Sequence, residues 1–142
     1  METTQQIEIN WPLKALFNYV SDVDNHGTWR QRVVNAAWLD KTRNHSGARV
    51  VETRKLMGQE IPTILEVTEF QPYRKRSVRL MKGTFRPSWT LEFEPNGEST
   101  LMTLTVTCPS SGREHESVIM KRMTEASFRE LLKLKEILES EN

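Results

Sequence analysis

The last long stretch of the chain, residues 115–139, limits the possible folds more than any other. Wound at about 100° per residue, it gathers Ile119, Met120, Met123, Leu131, Leu134, Ile137 and Leu138 into one arc. Lys121, Arg122, Glu125, Arg129, Lys133, Glu136 and Glu139 fall largely on the other side. A helix of this length with one apolar side needs a broad apolar surface to lie against. Ser127 sits near the middle of the arc and Thr124 at its edge, where a packed core would favour Leu. These hydroxyls are a first sign of a cavity behind the helix.

The rest of the chain supplies that surface as strands. Residues 5–10 alternate, with Ile7 and Ile9 on one side. Trp11-Pro12 then changes the period. Pro12 has its φ preset for a first helical turn, and Leu13, Leu16, Phe17 and Val20 recur at helical spacing, predicting a short helix over residues 12–20. A second helical turn over residues 26–30 points Trp29 inward. Strand patterns follow at residues 33–39, 49–57, 60–70, 76–81, 89–94 and 102–107. Gly58-Gln59 turns the second of these into the third, and Pro95-Asn96-Gly97 separates the last two. Connections of hairpin length imply an antiparallel sheet with one face to bury, and the C-terminal helix is the element large enough to cover it. No repeat or linker interrupts the pattern, so residues 1–142 read as a single domain.

Charge and composition exclude several classes of function. With 20 basic and 19 acidic side chains the chain exerts no overall pull on nucleic acid or anionic membrane. The one basic cluster, Arg74, Lys75, Arg76, Arg79, Lys82 and Arg86, reads as a solvated strand edge that resists edge-to-edge pairing. The apolar runs are too short to span a bilayer, residues 1–10 do not resemble a secretory signal, and the single Cys108 suits a reducing compartment. The expectation is a cytoplasmic protein without stable membrane insertion, a monomer or weak homodimer. His26, His45 and His115 lie in polar settings without spaced ligand partners, so no metal site is expected. No phosphate loop or catalytic Ser-His-Asp order implies a cofactor or a nucleophile.

The order of elements resembles the helix-grip fold of the START-like or SRPBCC superfamily, which includes polyketide cyclase and dehydrase-like proteins. The matching stretches are Ile7-Glu8-Ile9 with Trp11-Pro12 and Phe17, residues 24–29, and Gly47 with the strand after it. Val67-Thr68-Glu69-Phe70-Gln71-Pro72, Phe93-Glu94-Pro95-Asn96-Gly97, Thr100 with its strand, and Leu134-Lys135-Glu136-Ile137-Leu138-Glu139 complete the series. The resemblance implies an α+β fold: a curved seven-stranded antiparallel sheet around a long C-terminal helix, with two short helices after the first strand. It also implies an apolar cavity between sheet and helix, where members hold lipids, hormones, quinones or polyketides. The aromatase/cyclase branch uses an arginine and a tyrosine whose counterparts fall near Val67 and Ala36 here. Neither side chain can do that chemistry, which puts cyclase activity in doubt.

The residues assigned inward are Trp29, Met57, Leu65, Val67, Leu80, Trp89, Leu91, Met102 and Leu104 from the sheet side, with Met120, Met123, Thr124 and Ser127 from the helix. Four of them are Met, whose flexible thioether suits an irregular apolar ligand. Ordinary core packing explains the same pattern from composition alone, and the resemblance tips the reading toward a cavity. Arg86, beside the turn at Pro87, is a candidate polar contact, with solvation as the alternative. Glu130, at the border of the arc, is expected to reach water. No buried acid–base pair can be assembled from sequence. The leading reading is therefore a protein that binds or carries a small hydrophobic molecule, leaning away from catalysis, with no cofactor. The alternatives are a polyketide cyclase or dehydrase-type enzyme, and a protein-interaction module, against which the many outward Thr and Glu argue.

Overall fold

The computed structural model describes residues 1–41, 43–83, 86–109 and 116–140. In chain order they form β1 (Glu2–Ile9), α1 (Leu13–Ser21), a 3-10 turn (Val23–Asn25), α2 (His26–Trp29), β2 (Val33–Trp38), β3 (Arg49–Leu56), β4 (Gln59–Gln71), β5 (Lys75–Leu80), β6 (Ser88–Asn96), β7 (Ser99–Thr107) and α3 (Glu116–Ser140). The seven strands make one sheet in the order β1-β7-β6-β5-β4-β3-β2, antiparallel at every pairing. The α+β helix-grip architecture is therefore present as the element order implied. His115, where the C-terminal helix was expected to begin, lies outside the described residues.

Alternation decides which face of the sheet is covered. Ile7 and Ile9 on β1, Leu91 and Phe93 on β6, and Met102, Leu104 and Val106 on β7 are buried together with Leu16, Phe17 and Val20 of α1. A register shift between Val67 and Glu69 on β4 swings Phe70 to the inner side, where its ring lies 5.4 Å from that of Phe17.

On α3 the buried stripe is Met120, Thr124, Ser127, Leu131, Leu134 and Leu138, alternating steps of four and three. Ile119, Met123 and Ile137, which the helical projection placed in the same arc, flank the stripe half-buried. Leu131, Leu134 and Leu138 are at most 2% exposed, so each contributes about 1.5–3 kcal/mol as an upper figure. Polar ties fix the same end: Trp11 Nε1 donates to the Leu138 carbonyl at 2.6 Å, and Lys135 Nζ donates to the Glu8 carbonyl at 2.6 Å.

The central hairpin corrects one expectation. Leu56 pairs with Gln59, so the loop is Met57-Gly58, one residue earlier than the sequence implied. Both loop residues have positive φ, 50° and 79°, as a tight two-residue hairpin of primed type requires. Met57 thus stands at the hairpin tip, fully exposed, and is not inward.

Candidate functional site

Where α2 meets the sheet, the interior becomes ionic. In α2 and its following residue, His26, Trp29 and Arg30 stand three and four positions apart and share one face. On β3 the inner face is Val50 and Glu52 rather than Val51 and Thr53, and β5 turns Arg76 and Val78 inward. The result is a buried network. Glu52, with no exposed surface, accepts from His26 Nδ1 at 2.9 Å and from Arg30 Nη2 at 3.1 Å, and lies 3.6 Å from Arg54. Arg30 Nε forms an ion pair with Glu130 Oε2 at 3.0 Å, and the same carboxylate oxygen accepts from the Gln31 backbone N–H at 2.8 Å.

Burial alone would raise the Glu52 carboxyl, but Arg30, the His26 hydrogen bond and Arg54 overcome that and hold it at about 2. Burial lowers His26 below its ordinary value, and Arg30 and Arg76 reinforce this against the pull of Glu52. The imidazole is therefore neutral at pH 7. Because Glu52 is ionised, Nδ1 carries the proton and Nε2 carries a lone pair that meets no protein donor. Burial lowers Arg76 to about 10, with repulsion from Arg30 added, so it remains a cation.

Arg76 is the unusual member. It is 6% exposed, yet no described carboxylate is paired with it and its Nε has no partner. Both carboxylates of this network, Glu52 and Glu130, are already engaged by Arg30. With His26 neutral, the guanidinium groups of Arg30, Arg54 and Arg76 outnumber the carboxylates of Glu52 and Glu130 by one positive charge. Trp29 Nε1 is a second buried donor without a partner.

Arg76 and Trp29 open on the same small cavity, of about 30 Å³, between the sheet and α3. Its apolar wall is Trp29, Val78, Trp89, Leu91, Leu104 and Leu131; its polar wall is Arg30, Arg76, Ser127 and Glu130. That volume is on the scale of one water molecule. Ser127 Oγ accepts from Trp89 Nε1 at 3.0 Å, so the hydroxyl in the helical stripe is a polar contact across to β6. A larger, open groove of about 480 Å³ lies between the beginnings of β1 and α3 beside Met120 and Thr124.

Of the residues expected inward, Trp29, Trp89, Leu91, Leu104 and Ser127 converge on this cavity. Leu65, Val67 and Met102 are buried in surrounding core, and Met120 and Thr124 edge the open groove. Leu80 and Met123 are half-buried, while Arg86 is exposed. Sequence reasoning missed His26, Glu52, Arg76 and Glu130. His26 is not a surface histidine, and Glu130 reaches Arg30 rather than water, at 13% exposure. The basic cluster is not a strand edge, because β5 is the central strand, paired on both sides; Arg76 is buried, while Lys75 and Arg79 pair with Glu69 and Glu66. Among the described residues no group of three His, Cys, Asp or Glu side chains could hold a metal ion, and no helix is long and apolar enough to cross a membrane.

Comparison with known proteins fits this geometry. A family model described as polyketide cyclase / dehydrase and lipid transport matches residues 1–139. Among solved structures, the chain is similar to the di-domain ARO/CYC BexL from the BE-7585A biosynthetic pathway, with TM-score 0.84 and 18% identity over 98% of this chain and 46% of that one. It thus spans about half of that two-domain protein. A START superfamily protein from Mycobacterium smegmatis matches with TM-score 0.80 and 16% identity over 99% of each chain. The protein TTHA0849 from Thermus thermophilus matches with TM-score 0.77 and 21% identity over the whole of both. At these identities the structural likeness establishes the fold. A search of curated proteins finds no match.

Proposed function

From the premise that the chain belongs to the polyketide cyclase / dehydrase and lipid transport family, we propose that it binds a small, largely apolar molecule between the inner sheet face and α3. The observation that carries this reading is the cavity wall itself: two Trp rings and four aliphatic side chains facing buried polar groups, with Arg76 and the Trp29 Nε1 donor left without partners. Ligand pockets have that composition, mostly apolar with a few placed polar groups. A molecule larger than a water needs the wall to part. The N-terminal half of α3 is the segment suited to do so, because Thr124 and Ser127 stand in its stripe where Leu131, Leu134 and Leu138 anchor the other half. Native mass spectrometry of protein purified from its own host is expected to show a co-purifying small molecule. Absence of one, together with unchanged Trp fluorescence across a panel of naphthalene and fatty-acyl probes, would overturn the reading.

A specific observation also supports an enzyme. Arg76 and Glu130 are ionisable groups of opposite sign on one cavity. A guanidinium beside a ligand carbonyl stabilises the enolate formed when a neighbouring carboxylate takes the α-proton, as cyclisation and dehydration require. Such catalysis would use a set of residues other than positions 36 and 67, which are Ala and Val. Turnover of a synthetic β-diketone, lost in Glu130→Gln, separates this reading from binding alone.

A further inference from the structure

The geometry points to a monoanion as the ligand class: an apolar body carrying one acidic oxygen group, a carboxylate or an ionised enol, paired with Arg76. This rests on the binding site proposed above and deepens it. Three observations carry it. A guanidinium at 6% exposure lies on the cavity without a carboxylate of its own among the described residues. Buried charges are ordinarily paired, so a buried cation left open is a site built for an anion that arrives from outside. The ionic network around it carries one net positive charge, because Glu52 and Glu130 are spent on Arg30, His26, Arg54 and the Gln31 N–H. One negative charge balances it; a dianion would leave an excess against Glu130. Finally, Trp29 Nε1 is an unpaired donor on the same cavity at 4% exposure, so an oxygen there finds a second, neutral donor.

The size of the cavity agrees. About 30 Å³ takes one oxygen of an acid group, so the charged end has a preformed foothold beside Arg76 while the rest of the molecule displaces side chains. The body then lies among Trp89, Leu91 and Leu104, whose walls make no demand on its chemistry beyond low polarity.

Titration of the full chain with 1-naphthoate and with its neutral counterpart 1-naphthamide, read by Trp quenching and calorimetry, tests this. The acid is expected to bind about tenfold or more tightly than the amide, as a charge-assisted hydrogen bond to a buried group provides. In Arg76→Met that preference should fall to about unity, and Arg76→Lys should keep part of it. Equal affinity of the two probes for the unaltered protein overturns the monoanion inference and leaves the binding site standing. An acid preference that survives in Arg76→Met also overturns it, by moving the anchor elsewhere. If neither probe binds, the proposed site fails and this inference with it. The comparison of two probes on the unaltered protein decides the matter even if a variant fails to fold.

Discussion

Replacing Glu52 by Gln should be among the most destabilising conservative changes in the chain. The carboxylate has no exposed surface and joins three cationic or donating groups: His26, Arg30 and Arg54. Its folded pKa of about 2 stands against an ordinary value of 4.5. That difference corresponds to about 3 kcal/mol of stability at neutral pH. Gln keeps the shape but not the charge, leaving Arg30 with one carboxylate instead of two. Breaking one side of a buried ionic group costs about 3–5 kcal/mol, or roughly 10–20 °C in melting temperature for a chain of this size. The pH dependence follows from the sign. Because the folded carboxyl titrates below the unfolded one, its contribution is complete above pH 4.5 and is lost as pH falls toward 2. His26, also lowered in the fold, makes the unfolded chain bind a proton first, so stability already declines as pH drops below 6.5. Urea unfolding followed by Trp fluorescence from pH 7 to pH 3 should show both losses. In Glu52→Gln the midpoint at pH 7 should drop sharply, and the slope below pH 4.5 should flatten by as much as one proton, about 1.4 kcal/mol per pH unit. A variant that unfolds at the same urea concentration, with the same acid limb, would refute the assignment of this cluster as a structural ionic network.

Other substitutions differ in sign. Arg76→Met should leave stability at pH 7 unchanged or raised, since it removes a buried cation without a described partner; calorimetric melting of the unliganded protein checks this, and a fall of about 3 kcal/mol would reveal a partner for the guanidinium. Leu134→Ala, at a site with no exposed surface in the α3 stripe, should cost about 2–5 kcal/mol by chemical denaturation. Met57→Asn should be neutral or stabilising by up to about 1 kcal/mol, because Asn tolerates the positive φ at the hairpin tip better than Met and Met57 buries nothing; a clear loss of stability would contradict the turn geometry.

The strands and the long helix were legible because their periods repeat over many residues. Trp89, Leu91 and Phe93 against Thr90, Glu92 and Glu94 leave no doubt about which side is covered. The ionic network was not legible, for a physical reason. Its members come from four elements, one or two residues from each, brought together only by the tertiary fold: His26 and Glu52 are 26 positions apart, Gln31 and Glu130 are 99. On β3, Val50 and Val51 point to opposite faces, so hydropathy does not decide parity and hides that Glu52 is the inward residue. A usable signal did exist in α2. Once Trp29 is assigned inward, a residue three positions before it and one after it lie on the same face, which places His26 and Arg30 inside and calls for a carboxylate opposite them. Arg76 was masked by its neighbours: in a run of three basic residues, strand alternation sends the middle one outward and leaves the last to the core.

The strand order also governs when the molecule can finish itself. From β2 to β7 every neighbour in the sheet is a neighbour in the chain, so each new strand docks on the one just made. β1 is the exception, for Glu2 waits for Thr107 and Ile9 for Thr100. During synthesis at about 5–20 residues per second, the first strand is out for roughly 5–20 s before its partner exists. Throughout that interval Ile7 and Ile9 lack the face they will cover, and α3, made later still, cannot yet shield them. The nascent chain is therefore most open to mispairing at its oldest strand, and a charged substitution on the outer side of β1 should improve its soluble yield more than its final stability.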